Sequence, residues 1–90
     1  LFETECPRLV EEIRAAVASK TAKSLEVGAH TLKGAASNFA AGPVAAAAKE
    51  LEMMGRNGEF ANAPEVVVRL EREAQRLLGE LETFARKVPS

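Results

Sequence analysis

Within five residues this chain of 90 places its only histidine, a lysine and a glycine: His30, Lys33 and Gly34, in the stretch AHTLKGAASNFAAG that runs from Ala29 to Gly42. An ordinary imidazole is largely neutral, and therefore nucleophilic, above about pH 6.5. An ammonium three residues on falls on the same side of a helix, as do positions i+4 and i+7, here Gly34 and Ser37. A glycine in a helix interior costs about 1 kcal/mol against alanine, and this segment uses alanine freely elsewhere. Gly34 therefore leaves a notch beside the imidazole through which a second molecule can approach a ring nitrogen. Lys33 can hold the oxygens of a phosphoryl group while charge spreads over them. Nucleophile, cation and clearance together suit phosphoryl acceptance. Taken alone, a single histidine on a helix is more often an ordinary surface residue.

The elements that position these residues are helical. With 47% apolar residues but only four Phe, no Tyr and no Trp, the chain has few strand formers and many Ala, Leu, Glu and Arg. Cys6, Val10, Ile13 and Val17 form one stripe on a first helix that ends about Ser19, with regular helix expected to start around Glu5 to Pro7 because proline suits a first turn. A second helix from about Thr21 to Ala41 carries the seam Ala22, Leu25, Ala29, Leu32, Ala36 and Phe39, and His30 lies off that seam. Gly42 and Pro43 separate it from a third helix, which buries Val44, Ala47, Leu51 and Met54 and ends in a turn from Gly55 to Gly58. Asn62 and Glu65 resemble a capping box for the longest helix, whose seam is Val67, Leu70, Ala74, Leu77, Leu81, Phe84 and Val88. Its pairs Glu65–Arg69, Arg69–Glu73, Arg76–Glu80 and Glu82–Arg86 have the i,i+4 spacing of surface ion pairs. The expected fold is all-α, a single antiparallel up-down-up-down four-helix bundle over residues 1–90 with neighbouring helices crossing at roughly 20°.

Composition excludes several classes of function. Twelve basic against 13 acidic residues give a formal net charge of −1, with no positive field for nucleic acid. The longest mostly apolar stretch, Phe39 to Ala48, falls short of the roughly 20 residues a spanning helix needs, so no membrane contact by this segment is expected. Cys6 has no partner for a disulfide, reads as a small buried hydrophobe, and fits a cytoplasmic location. His30 has no histidine at i+3 or i+4 with which to begin a metal site, and no nucleophile with a recognisable base marks a free-standing hydrolase.

The run His30-Thr31-Leu32-Lys33-Gly34-Ala35-Ala36-Ser37-Asn38-Phe39 resembles the signature of histidine-containing phosphotransfer (HPt) domains of two-component phosphorelays, and the likeness continues more weakly through Val44 to Glu52 and the Gly55-Arg56 turn. The resemblance implies that His30 takes a phosphoryl group on its distal ring nitrogen from a receiver-domain phospho-aspartate and passes it to another receiver. It further implies that Lys33 steadies the phosphoryl oxygens and that Gly34 gives clearance. Glu52 matches a position on the next helix that is often Gln in the family, and would accept a hydrogen bond from the proximal ring nitrogen. A docking patch of small residues is expected from Val27, Thr31, Gly34, Ser37 and Ala41, with Ala45 and Ala48 from the next helix. The domain itself would bind no cofactor, magnesium belonging to the receiver, and would act as a monomer cut from a longer protein, a hybrid sensor kinase. The chain departs from the family pattern where Ala40-Ala41 stand in place of a glycine after Phe39, and its first helix reads as short for the family. The rival reading is a helical interaction module that keeps the bundle without phosphate chemistry. A kinase dimerisation helix would carry an acidic residue where Thr31 stands.

Overall fold

The computed structural model describes the backbone of residues 2–37 and 42–87, and the side chains of 4–37 and 42–80. Four helices follow in order: α1 (Phe2–Ser19), α2 (Ala22–Ser37), α3 (Gly42–Asn57) and α4 (Ala63–Lys87). Each packs on its neighbours in sequence, and α1 closes against α4, while the backbones of the diagonal pairs stay more than 8 Å apart at Cα among the described residues. This is the square of an up-down-up-down bundle, 47 Å long and 19 × 18 Å across.

The core follows the predicted seams with local shifts. On α1 the buried positions are Cys6, Leu9, Ile13 and Ala16, at steps of three, four and three. Val10 and Val17 only flank them. The stripe keeps Cys6 and Ile13 but is rotated by about half a residue, because Leu9 and Ala16 also fit a helical period. On α2, Leu25, Ala29, Leu32 and Ala36 are buried as expected, Ala22 at the helix start is only half-buried, and Phe39 lies outside the described residues. Val44, Ala47 and Leu51 of α3 join them, as do Val67, Leu70 and Ala74 of α4, whereas Met54 and Leu77 are only partly buried. The side chains of Leu81, Phe84 and Val88 lie outside the described residues. Burial raises the pKa of the free Cys6 thiol, as fits a packed rather than a reactive cysteine.

Three features depart from the expected punctuation. Helix α1 begins at Phe2, so Pro7 sits inside it, on an exposed face; its missing N–H costs one hydrogen bond near the helix start and does not end the helix. At the end of α1, Lys20 adopts φ of 54°, with Lys20 N–H donating to Val17 O and Thr21 N–H to Ala16 O. A non-glycine residue here holds the left-handed cap that glycine usually supplies. The end of α3 repeats this cap with Gly58, at φ 68°, as Gly58 N–H donates to Gly55 O and Glu59 N–H to Met54 O. Helix α3 therefore runs past Met54 to Asn57, and Gly55 is a buried helical residue rather than part of the turn.

Arg69 pairs with Glu50 across the α3–α4 interface instead of along its own helix, and Arg76 meets Glu73 rather than Glu80. A long side chain that can reach a neighbouring helix has more partners than its own helix offers. The side chains of Glu82 and Arg86 lie outside the described residues.

Candidate functional site

His30 projects from the middle of α2 with its side chain 68% exposed, one step round from the fully buried Ala29. Its Nδ1 lies 2.7 Å from Oε2 of Glu52, which reaches across from α3. The other carboxylate oxygen of Glu52, Oε1, accepts a 2.6 Å hydrogen bond from Nζ of Lys33. A glutamate side chain only 6% exposed is unusual, and here both its oxygens are engaged.

The charge state of this triad follows from its partners. The Lys33 hydrogen bond holds the Glu52 carboxyl below its ordinary range; burial works against that, and the His30 hydrogen bond works with it. Glu52 is therefore ionised near neutral pH, and an ionised carboxylate only accepts hydrogen bonds. The proton of a neutral His30 must then sit on Nδ1, donated to Glu52, which leaves the lone pair on Nε2 at the exposed end of the ring. A buried carboxylate thus fixes the tautomer that points the nucleophilic nitrogen outward.

A second cation closes the arrangement. Nε of Arg56, one turn beyond Glu52, donates to Oε2 of Glu26 on α2 at 3.1 Å, and another guanidinium nitrogen of Arg56 lies 3.6 Å from Oε2 of Glu52. Sequence reasoning missed Arg56 and Glu26. The signal was present in their spacing, since Glu26 is four residues before His30 and Arg56 four after Glu52.

Lys33 is about one-third exposed and spends one of its three donors on Glu52. Two remain for an incoming anion. Gly34 is exposed, and nothing lies within 4 Å of the place a Cβ would take. Nothing among the described residues demands a glycine there.

Of the predicted docking patch, Val27, Thr31, Gly34 and Ser37 lie on the exposed side of α2. The Thr31 hydroxyl donates to Val27 O at 2.9 Å and the Ser37 hydroxyl to Lys33 O at 2.8 Å, so both present carbon to solvent rather than unpaired donors. Ala45 is half-buried and packs against the core. Ala48 is fully buried, so it cannot belong to any exposed surface; the turn of α3 that brings Glu52 toward α2 also turns Ala48 inward. Ala41 lies outside the described residues. Among the described residues no cluster of His, Cys, Asp and Glu could hold a metal ion, and no helix is long and apolar enough to cross a membrane.

The crystal structure of histidine-containing phosphotransfer protein B (HptB) from Pseudomonas aeruginosa PAO1 superposes with a TM-score of 0.93 at 28% identity, over 98% of this chain and 76% of that one. No curated protein sequence matches the chain. The family model for the Hpt domain matches residues 1–82. With a lone exposed imidazole on a four-helix bundle and these matches in hand, the chain belongs to the Hpt domain family, whose members carry out histidine phosphotransfer in phosphorelays.

Proposed function

We propose that His30 is the phosphoryl acceptor, taking the group on Nε2 from the phospho-aspartate of a receiver domain and passing it to the aspartate of another. The observation that carries this reading is the 2.7 Å contact between Nδ1 and the buried Glu52 carboxylate, which leaves Nε2 as the free nitrogen of an exposed ring. In the forward step the Nε2–P bond forms as the aspartyl O–P bond breaks, and the receiver's carboxylate leaves as an anion. Positive charge grows on the ring, and Glu52 stabilises it through the Nδ1–H it already accepts. The reverse step returns a neutral ring with its Nδ1 proton in place, so neither direction requires a proton to move.

Lys33 neutralises the phosphoryl oxygens with its two spare donors. Gly34 gives the receiver's backbone room beside the ring. Val27, Thr31 and Ser37 provide the docking face, with Ala45 at its rim. The domain needs no cofactor of its own; magnesium sits in the receiver, where it holds the aspartyl phosphate. We place the domain in the cytoplasm as a monomeric carrier within a hybrid sensor kinase, where receiver domains are its partners.

The test is to mix the domain with a phosphorylated receiver and follow the label. Acid-labile, alkali-stable phosphate should appear on the wild type and be absent from His30→Gln. Equal labelling of the two proteins would remove His30 from the reaction.

A further inference from the structure

Helices α2 and α3 come backbone to backbone at Gly55. A Cβ built there would lie 2.6 Å from the backbone nitrogen of Glu26, 2.9 Å from the carbonyl oxygen of Ala22 and 3.0 Å from Cα of Glu26. These are backbone atoms of a helix, which cannot swing aside as a side chain can. Gly28, by contrast, would set its Cβ 3.3 Å from Cγ1 of Ile13, a side-chain carbon of α1 and not the backbone of α3. Gly55 is buried in the interior of α3, where a glycine costs about 1 kcal/mol relative to alanine. It lies three residues after Glu52, and the residue it touches, Glu26, lies one turn before His30. Arg56 spans the same junction, pairing with Glu26 and approaching Glu52.

We propose that Gly55 is a positioning residue for the phosphotransfer site: its missing Cβ lets α3 lie backbone against backbone on α2 at Glu26, and that contact sets the reach of Glu52 to His30. Ordinary contact for a Cβ begins near 3.4 Å, so an alanine at position 55 must move the helices apart by about 0.8 Å. A shift of that size along the Nδ1···Oε2 vector takes a 2.7 Å bond to the edge of hydrogen-bonding distance. The His30–Glu52 bond would weaken although neither of its residues had changed. The inference rests on the reading of His30 as the acceptor, but its first readout does not.

Gly55→Ala is compared with wild type, Gly28→Ala, Glu52→Ala and the Gly55→Ala/Glu52→Ala double variant. Nitrogen-15 NMR of the ring reports the His30 tautomer, and a receiver assay reports the transfer rate. Expected is a shift of Gly55→Ala away from the Nδ1–H tautomer, about tenfold slower transfer, and a double variant no slower than Glu52→Ala, because the two residues act through one bond. Gly28→Ala should keep the wild-type tautomer. A Gly55→Ala protein with the wild-type tautomer and rate overturns the proposal, as does a full multiplicative loss in the double variant, the mark of a merely structural role. If Gly55→Ala does not fold, Arg56→Gln, at an exposed side chain of the same junction, is read in its place: a displaced tautomer with slower transfer supports the proposal, and an unchanged pair overturns it. Wild type that takes no phosphate would defeat the acceptor reading, while the tautomer measurement would still decide the role of Gly55.

Discussion

The α2–α3 seam and the α1–α4 side of the bundle are built by different means. Helices α1 and α4 contribute Leu9, Ile13, Val66, Val67 and Leu70 to the core, and the ion pairs of α1 stay within the helix, Arg8 with Glu5 and Glu12 and Arg14 with Glu11. Exposed pairs of that kind are screened by solvent and add little. Helices α2 and α3 bury Ala29, Ala36, Ala47, Ala48 and Gly55 beside three leucines and a valine, and their charged groups reach from one helix to the other. Small residues bring two backbones close enough for a glutamate to bridge a histidine and a lysine opposite. Bulk apolar burial holds the bundle together on one side, and close approach sets atomic distances on the other.

The largest effect should come from breaking the first side. Leu70→Ala empties a fully buried position on α4 and should cost about 2–5 kcal/mol in urea unfolding, while the protein that remains folded transfers phosphate at the wild-type rate. A slowed rate in the folded fraction would show that α4 does more than support the site. On the other side, Glu52→Ala removes a charge-assisted hydrogen bond of roughly 1.5–3 kcal/mol, so rapid-quench kinetics should show transfer slowed by about ten- to a hundredfold.

A smaller effect sharpens the contrast between two glycines of the same seam. Gly34→Ala meets nothing among the described residues and should raise thermal stability by up to about 1 kcal/mol, yet slow transfer from a receiver, because the added methyl occupies the notch. The smallest effect concerns acid. The Glu52 carboxyl is held below its ordinary value in the folded state, so its stabilisation is complete above the unfolded glutamate value of about 4.3 and fades as pH falls through the depressed one. Glu52→Gln should flatten that acid limb of the stability profile, below the unfolded glutamate value, measured by thermal unfolding.

Much of the fold was legible because it rests on local periodicity. The seam of α2 from Leu25 to Ala36 and the position of His30 off that seam follow from counting at 3.6 residues per turn, and Gly42 and Pro43 stand in the first turn of α3. The burial of Glu52 was harder to read, since glutamate is mostly exposed and only a partner on another helix makes an inward position tolerable. Its companions gave a clue: Ala48, Glu52 and Gly55 repeat at i, i+4 and i+7, one face of a helix. Reading Gly55 as turn chemistry hid that face, because a glycine near a second glycine looks the same whether it serves a cap or a close approach. Gly58 serves the cap and Gly55 the approach. The choice of Arg69 for Glu50 was beyond periodicity altogether, as it depends on which helix lies alongside.

The central claim is that Glu52 holds the Nδ1 proton and so directs phosphate to Nε2 of His30. Phosphorus-31 and nitrogen-15 NMR of the phosphorylated domain test it most directly, since the two ring nitrogens give distinct couplings to phosphorus. A single phosphorus coupled to Nε2 is expected. Phosphate found on Nδ1, or on any side chain other than His30, would contradict it.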